Sequence, residues 1–187
     1  GKRTIYVKIY FKRAVMEGSS DSVKKINSYL KKKSDAFMKE KSGAVTQAQE
    51  DVANGMYDKE TYQDFVSSKV TYNDKNVVSI KITQEWYAGG TANQTIYGYT
   101  FRLKSGKLLK LTDVCKGSSS QIKKNLVAKM KKGADAANID FKTVNAYKTG
   151  KFQFYLKPDQ KAVVCFGPYE ISFGGDSRCY TIQSKYK

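Results

Sequence analysis

Between residues 62 and 104 the chain makes three strand-like runs with only short breaks between them. Tyr62–Tyr72 and Asn76–Tyr87 alternate in polarity and are rich in Val, Ile, Thr and Tyr, joined by Asn73-Asp74-Lys75. Thr95–Lys104 follows across Ala88-Gly89-Gly90-Thr91-Ala92-Asn93-Gln94. Period-2 alternation bounded by Gly, Asn and Asp reads as β-strand. Parallel neighbours need a crossover of a dozen residues or more, so short links demand antiparallel pairing. This block excludes a wound parallel sheet and sets the class as α+β.

The flanking segments complete the pattern. Residues 3–15 read as an opening strand. After Gly18-Ser19-Ser20-Asp21, a long helix is predicted over about 21–53, with Val23, Ile26, Leu30, Phe37, Ala44, Ala48 and Val52 as one apolar stripe. Lys24, Lys25, Lys31, Lys32 and Lys39 fall on the opposite face. Asn54-Gly55 ends it, and Ser42-Gly43 is a point where it can break in two. Ser105-Gly106-Lys107 turns into a short strand, Leu108–Leu111. Ser118-Ser119-Ser120-Gln121 is a capping-box pattern opening a second amphipathic helix, with Ile122, Leu126 and Met130 inward and Gly133 at its end. Residues 134–150 read as loop with a short helix at 141–147. Phe152–Lys157 and Ala162–Phe166 form a hairpin, and a last strand runs from about Cys179 to Gln183. The expectation is antiparallel sheet with one long N-terminal helix and a second amphipathic helix. A chain of 187 residues is expected to make one compact domain, 1–187, with 1–68 and 69–187 as its halves.

Composition bears on function through charge. Thirty-four Lys and Arg face seventeen Asp and Glu, a net +17, and there is no histidine. Without imidazole there is no Ser-His-Asp triad, no Cys-His pair and no His-ligated zinc. Three cysteines lack CxxC spacing, and no phosphate-cradling Gly motif occurs. Cofactor and metal are therefore expected to be absent. Carboxylate pairs leave no local motif, so a hydrolase using residues such as Asp113, Glu85 or Glu170 stays open beside their simpler structural reading. Arg3, Arg13, Arg102 and Arg178 are the only arginines. Lysine suits diffuse attraction rather than bidentate readout, which disfavours nucleic acid. An anionic wall polymer or surface fits the charge, with the Lys24, Lys25, Lys31, Lys32 and Lys39 face as candidate contact and a merely solvated face as the alternative.

Cys165 and Cys179 lie on apparently neighbouring strands, so either they form one bridge or all three cysteines, with Cys115, are small buried hydrophobes. No apolar run approaches the roughly 20 residues that span a bilayer. The chain opens Gly1-Lys2-Arg3 and enters a strand at once. The expectation is that an upstream export signal or anchor was trimmed, leaving Gly1 as a tag remnant; a chain native to the cytosol is the alternative.

Two segments are candidate binding elements. Trp86-Tyr87-Ala88-Gly89-Gly90-Thr91 pairs aromatics with glycines that allow close approach; the alternative is a tight β-connection with Trp86 in the core. Pro168-Tyr169-Glu170 places a phenol and a carboxylate at a strand exit; the alternative is a turn with Tyr169 hydrogen-bonded locally.

These segments also carry a resemblance. Asn76–Ile80 leading to Ala88-Gly89-Gly90, then Phe101–Lys107 with Leu111–Val114, then Phe154–Leu156 and Pro168–Ile171 follow in order. The chain resembles the DUF3298-type extracytoplasmic domain family, found in the anti-sigma-V factor and in the non-catalytic N-terminal region of a peptidoglycan deacetylase. The opening strand and Lys24–Leu30 resemble the module that precedes it. It departs from the family pattern at Ala92, at Gly167 and in the short loop 172–177. The resemblance implies an exported or tethered envelope protein of a Gram-positive-type bacterium, α+β in fold and without catalytic residues. It also implies lysozyme as a partner, as in the anti-sigma-V factor. Charge opposes that partner, since animal lysozymes are basic and like-signed surfaces repel. Asp51, Asp58, Glu60 and Asp64 form the only acid-enriched stretch that could offset the repulsion.

Overall fold

The chain is described from a computed structural model covering residues 7–39, 43–56, 62–88 and 90–187. The three central runs become β2 (Tyr62–Asn73), β3 (Val77–Ala88) and β4 (Thr91–Arg102), paired antiparallel. Ala88 pairs directly with Thr91, so the expected seven-residue loop is a tight hairpin with Gly90 at φ +87°. Gly90 supplies a left-handed turn conformation, and the strand ladder claims residues 91–94. Leu108 extends the sheet as part of β5 (Lys107–Leu108).

β1 (Val7–Phe11) pairs with β2 in parallel. The antiparallel expectation fails there because the connection carries α1 (Asp21–Lys39) and α2 (Gly43–Ala53), a crossover long enough to reverse direction. The long helical stretch thus runs as two helices, and residues 40–42 between them lie outside the described residues, as do residues 3–6 of the expected opening strand. Ile26 and Leu30 of α1 pack on Val66, Ile80, Tyr99 and Phe101 of one sheet face. Ala44 and Ala48 of α2 meet Tyr62 and Ala88 further along it. Val52 is 46% exposed, so the predicted stripe stops at Ala48, just short of the C-terminus of α2.

A second sheet, β6 (Gln153–Lys157), β7 (Lys161–Phe166) and β8 (Arg178–Gln183), approaches the opposite face. Gly98 permits the approach: a Cβ there would sit 1.9 Å from the Phe154 carbonyl oxygen. The Leu156 N–H on the free edge of β6 donates to Ser79 Oγ at 2.8 Å, and Ser79 shares a 2.8 Å hydroxyl bond with Thr100. These bonds satisfy polar groups that burial would otherwise penalise. The far face of the second sheet packs on α4 (Ser119–Lys131) through Ile122, Leu126 and Met130. Ser118 caps α4 by accepting the Gln121 N–H, as its pattern predicts.

One further expectation is corrected. Leu111 opens α3 (Leu111–Val114) rather than ending a strand, because the Asp113 carboxylate accepts the Lys110 N–H and turns the chain. The short helix expected at 141–147 is present as α5 (Phe141–Ala146), capped by Asp140. Cys165 and Cys179 are direct partners on β7 and β8 and are joined by a disulfide. Cys115 is free and buried, and burial pushes its thiol up to about 11.

Candidate functional site

The loop that carries Tyr169 and Glu170 reaches β4 beside the β3–β4 hairpin, but the two candidate segments line separate clefts. Alternation along β3 sends Trp86 and Tyr87 to opposite faces. Trp86 turns toward α2, so close to Gly43 that a Cβ there would come within 2.5 Å of the indole. Its placement is structural. Tyr87 shares the other face with Glu85, whose register partners are Phe65 on β2 and Gln94 on β4. Phe65 stacks on Tyr10 of β1, with centroids 4.9 Å apart and planes 4° from parallel. Gly89 lies outside the described residues; Thr91 occupies the first position of β4.

The loop between β7 and β8 lies along the start of β4. Gln94 N–H donates to the Gly175 carbonyl at 2.7 Å, Ser177 N–H donates to the Gln94 carbonyl at 2.8 Å, and Ile96 N–H donates to Ser177 Oγ at 2.9 Å. Gly175 is required there, since a Cβ would sit 2.4 Å from the Ala92 carbonyl oxygen. The disulfide ties the feet of this loop together.

Two clefts result. One, of about 280 Å³, is lined by Phe65, Glu85, Trp86, Tyr87, Gln94 and Asp176 among others. Glu85 accepts a 2.6 Å bond from Gln94 Nε2, which aims the carboxylate along the sheet. Carboxylates beside flat aromatic rings suit a cation or a sugar face. The second cleft, of about 290 Å³, includes Asp140, Tyr169, Glu170 and Phe173. Its turn closes through the Glu170 carboxylate, which accepts the Gly167 N–H, and through Tyr169 N–H on the Gly174 carbonyl. The Tyr169 ring is 65% exposed, and Phe173 in the same cleft is 93% exposed.

Lys24, Lys25, Lys31, Lys32 and Lys39 on α1 all face solvent. Lys31 bonds Asp35 at 2.7 Å and Lys24 lies 3.9 Å from Asp21, so that face is partly neutralised. The acid-enriched stretch is turned inward where described. Asp51 accepts from the Tyr62 hydroxyl at 2.6 Å and from Gln47, and these bonds hold its carboxyl below the ordinary range. Asp64 is buried, with Oδ1 unpartnered. Asp58 and Glu60 lie outside the described residues. Residue reasoning missed Tyr10, Phe65 and Asp176. Alternation alone would place Glu85 with Tyr87, but only the strand register adds Phe65, and only the folded loop adds Asp176. Among the described residues, no group of three or more Cys, Asp or Glu gathers to hold a metal, and no helix is long and apolar enough to cross a membrane.

Comparison with known proteins adds a family match to the N-terminal part of the chain and a similar fold. Residues 2–93 match the family model described as Deacetylase PdaC. No curated protein matches the chain. The fold is similar to the crystal structure of a DUF3298 family member from Bacteroides fragilis, at TM-score 0.61 and 17% identity over 95% of this chain and 81% of that one. A DUF3298 family protein from Pseudomonas aeruginosa aligns at TM-score 0.46 and 13% identity, over 76% of this chain and 66% of that one.

Proposed function

Starting from a chain whose residues 2–93 match the PdaC family and whose fold is that of a DUF3298 structure, we propose that it is a non-catalytic, extracytoplasmic binding domain for an anionic polymer of the cell envelope. The observation that carries this reading is the net +17, built almost wholly from lysine. Such a field raises the encounter rate with a polyanion, and hydrated ammonium groups favour repeated, sequence-independent contacts. The Cys165–Cys179 disulfide supports export, since such bonds persist outside the reducing cytosol. The carboxylates considered for hydrolysis each carry a local hydrogen bond: Asp113 to Lys110 N–H, Glu85 to Gln94 and Glu170 to Gly167 N–H.

Cosedimentation with purified, teichoic-acid-bearing cell wall tests the reading. Binding is expected at about 0.05 M salt and release by about 0.5 M, as exposed charges are screened. Absent binding at low salt, or binding indifferent to salt, would sink it.

A second reading has one observation in its favour. The cleft bearing Glu85 and Asp176 offers a local acidic, aromatic surface to a basic protein such as lysozyme, the partner implied by the family resemblance. The overall like charge opposes it. Calorimetry at physiological salt is expected to give no complex as tight as about 1 μM; a tighter one would favour this reading over the first.

A further inference from the structure

A groove of about 770 Å³ runs between α4 and the segment 145–150, sharing no lining residue with the clefts above. Lys123 and Lys124 stand on its α4 wall and Lys148 on the other. The walls are tied together. Lys123 Nζ donates to the Asn145 carbonyl at 2.7 Å, and the buried Thr149 hydroxyl donates to the Ser119 carbonyl at 3.2 Å. Tyr147, half-buried, lines the groove and stacks on Phe152 with planes 8° apart, so its ring is held in place. The Lys110 stem reaches the rim, its Cδ 3.3 Å from where a Gly150 Cβ would lie.

The groove lining contains no carboxylate. The sequence explains why: residues 114–134 and 141–158 hold ten lysines and not one Asp or Glu. The α1 face, by contrast, sets Asp21 and Asp35 among its lysines. A cleft with fixed walls, uncompensated ammonium groups and one aromatic ring has the chemistry for an anion attached to a sugar or polyol. Within the polyanion reading, on which this inference rests, we propose that this groove, not the α1 face, seats a segment of an alditol-phosphate polymer. Lys124 and Lys148 would pair with successive phosphodiesters while the polyol lies against Tyr147. A nucleic acid fits less well. One ring already covered by Phe152 gives no platform for successive bases, and lysine lacks the planar fork that stacks and reads them.

The test is a calorimetric titration of soluble poly(glycerol phosphate) at about 0.15 M salt, near physiological screening. Three proteins are compared: the wild type, Lys124→Glu/Lys148→Glu and Lys25→Glu/Lys32→Glu. The two variants carry the same change in net charge at exposed positions, so both should keep the wild-type melting temperature. The groove variant should lose about tenfold or more in affinity and the α1 variant about twofold or less, since close pairs matter more than distant field. Equal losses, or wild-type affinity in the groove variant, would overturn the groove while leaving the polyanion reading intact. No binding by the wild type would overturn both. Single-stranded DNA of matched charge competing on equal terms would overturn the assigned polymer class.

Discussion

Two clefts in this molecule each set aromatic rings beside charge, and they carry opposite signs. At the β3–β4 end, Phe65 and Tyr87 border Glu85 and Asp176. Along α4, Tyr147 borders Lys123, Lys124 and Lys148. Charge is screened over about 8 Å at physiological salt. The net +17 therefore governs what drifts toward the protein, while the sign within each cleft governs what can settle there. The two clefts are also built differently. The acidic one depends on a disulfide-footed loop laid along β4, and the basic one on a helix packed over a sheet.

The largest effect should come from removing the support common to both. Gly98→Val would drive a side chain into the β6 backbone. We expect loss of about 3 kcal/mol or more, or no folded protein; an unchanged thermal melt would show that the sheets do not meet as described. Next, Cys165→Ser/Cys179→Ser opens a 14-residue link. A loss of about 3 kcal/mol is expected from urea unfolding, following loop closure. The same variant should keep its polymer affinity, because no residue of the loop lines the basic groove; a parallel loss of affinity would erase the distinction between the clefts. Smaller still, Glu85→Gln/Asp176→Asn should leave polymer affinity the same or raise it about twofold, by removing two like-signed opponents from the field; a clear loss would move the polymer to the acidic end.

The smallest effect concerns pH. Asp51 is held low by the Tyr62 hydroxyl, and Asp140 by the Thr143 side chain. A carboxyl with a lowered folded pKa contributes its stability in full above the unfolded value of about 3.9 and loses it as pH falls through the folded value. Stability should thus be flat down to about pH 4 and fall below it, with Asp51→Asn flattening part of that slope in acid titrations followed by circular dichroism. Polymer binding should persist until the fold itself yields.

Much of this architecture was legible in the residues. Strand alternation fixed the β2–β4 block, and the Ser118 cap with Ile122, Leu126 and Met130 marked α4, because both signals are local. The parallel pairing of β1 was not legible, since it depends on where the crossover lands. The acidic cleft was half visible: Tyr87 was named, but Phe65 and Asp176 join it only through register and loop packing. The basic groove left a clear trace, two acid-free lysine-bearing runs, but they lie apart in sequence and only folding sets them face to face. The clustered lysines of α1 are the louder signal in the sequence, yet Asp21 and Asp35 share their surface.

The central claim, that the sign within a cleft selects the occupant, is tested most directly by backbone amide NMR of the ¹⁵N-labelled protein titrated with soluble poly(glycerol phosphate). Shifts confined to Ser119–Val127 and Asn145–Gly150, with Glu85–Ala88 and Ser172–Ser177 unmoved, are the predicted result. Shifts centred on the acidic end, or spread evenly over every lysine-bearing surface, would contradict it.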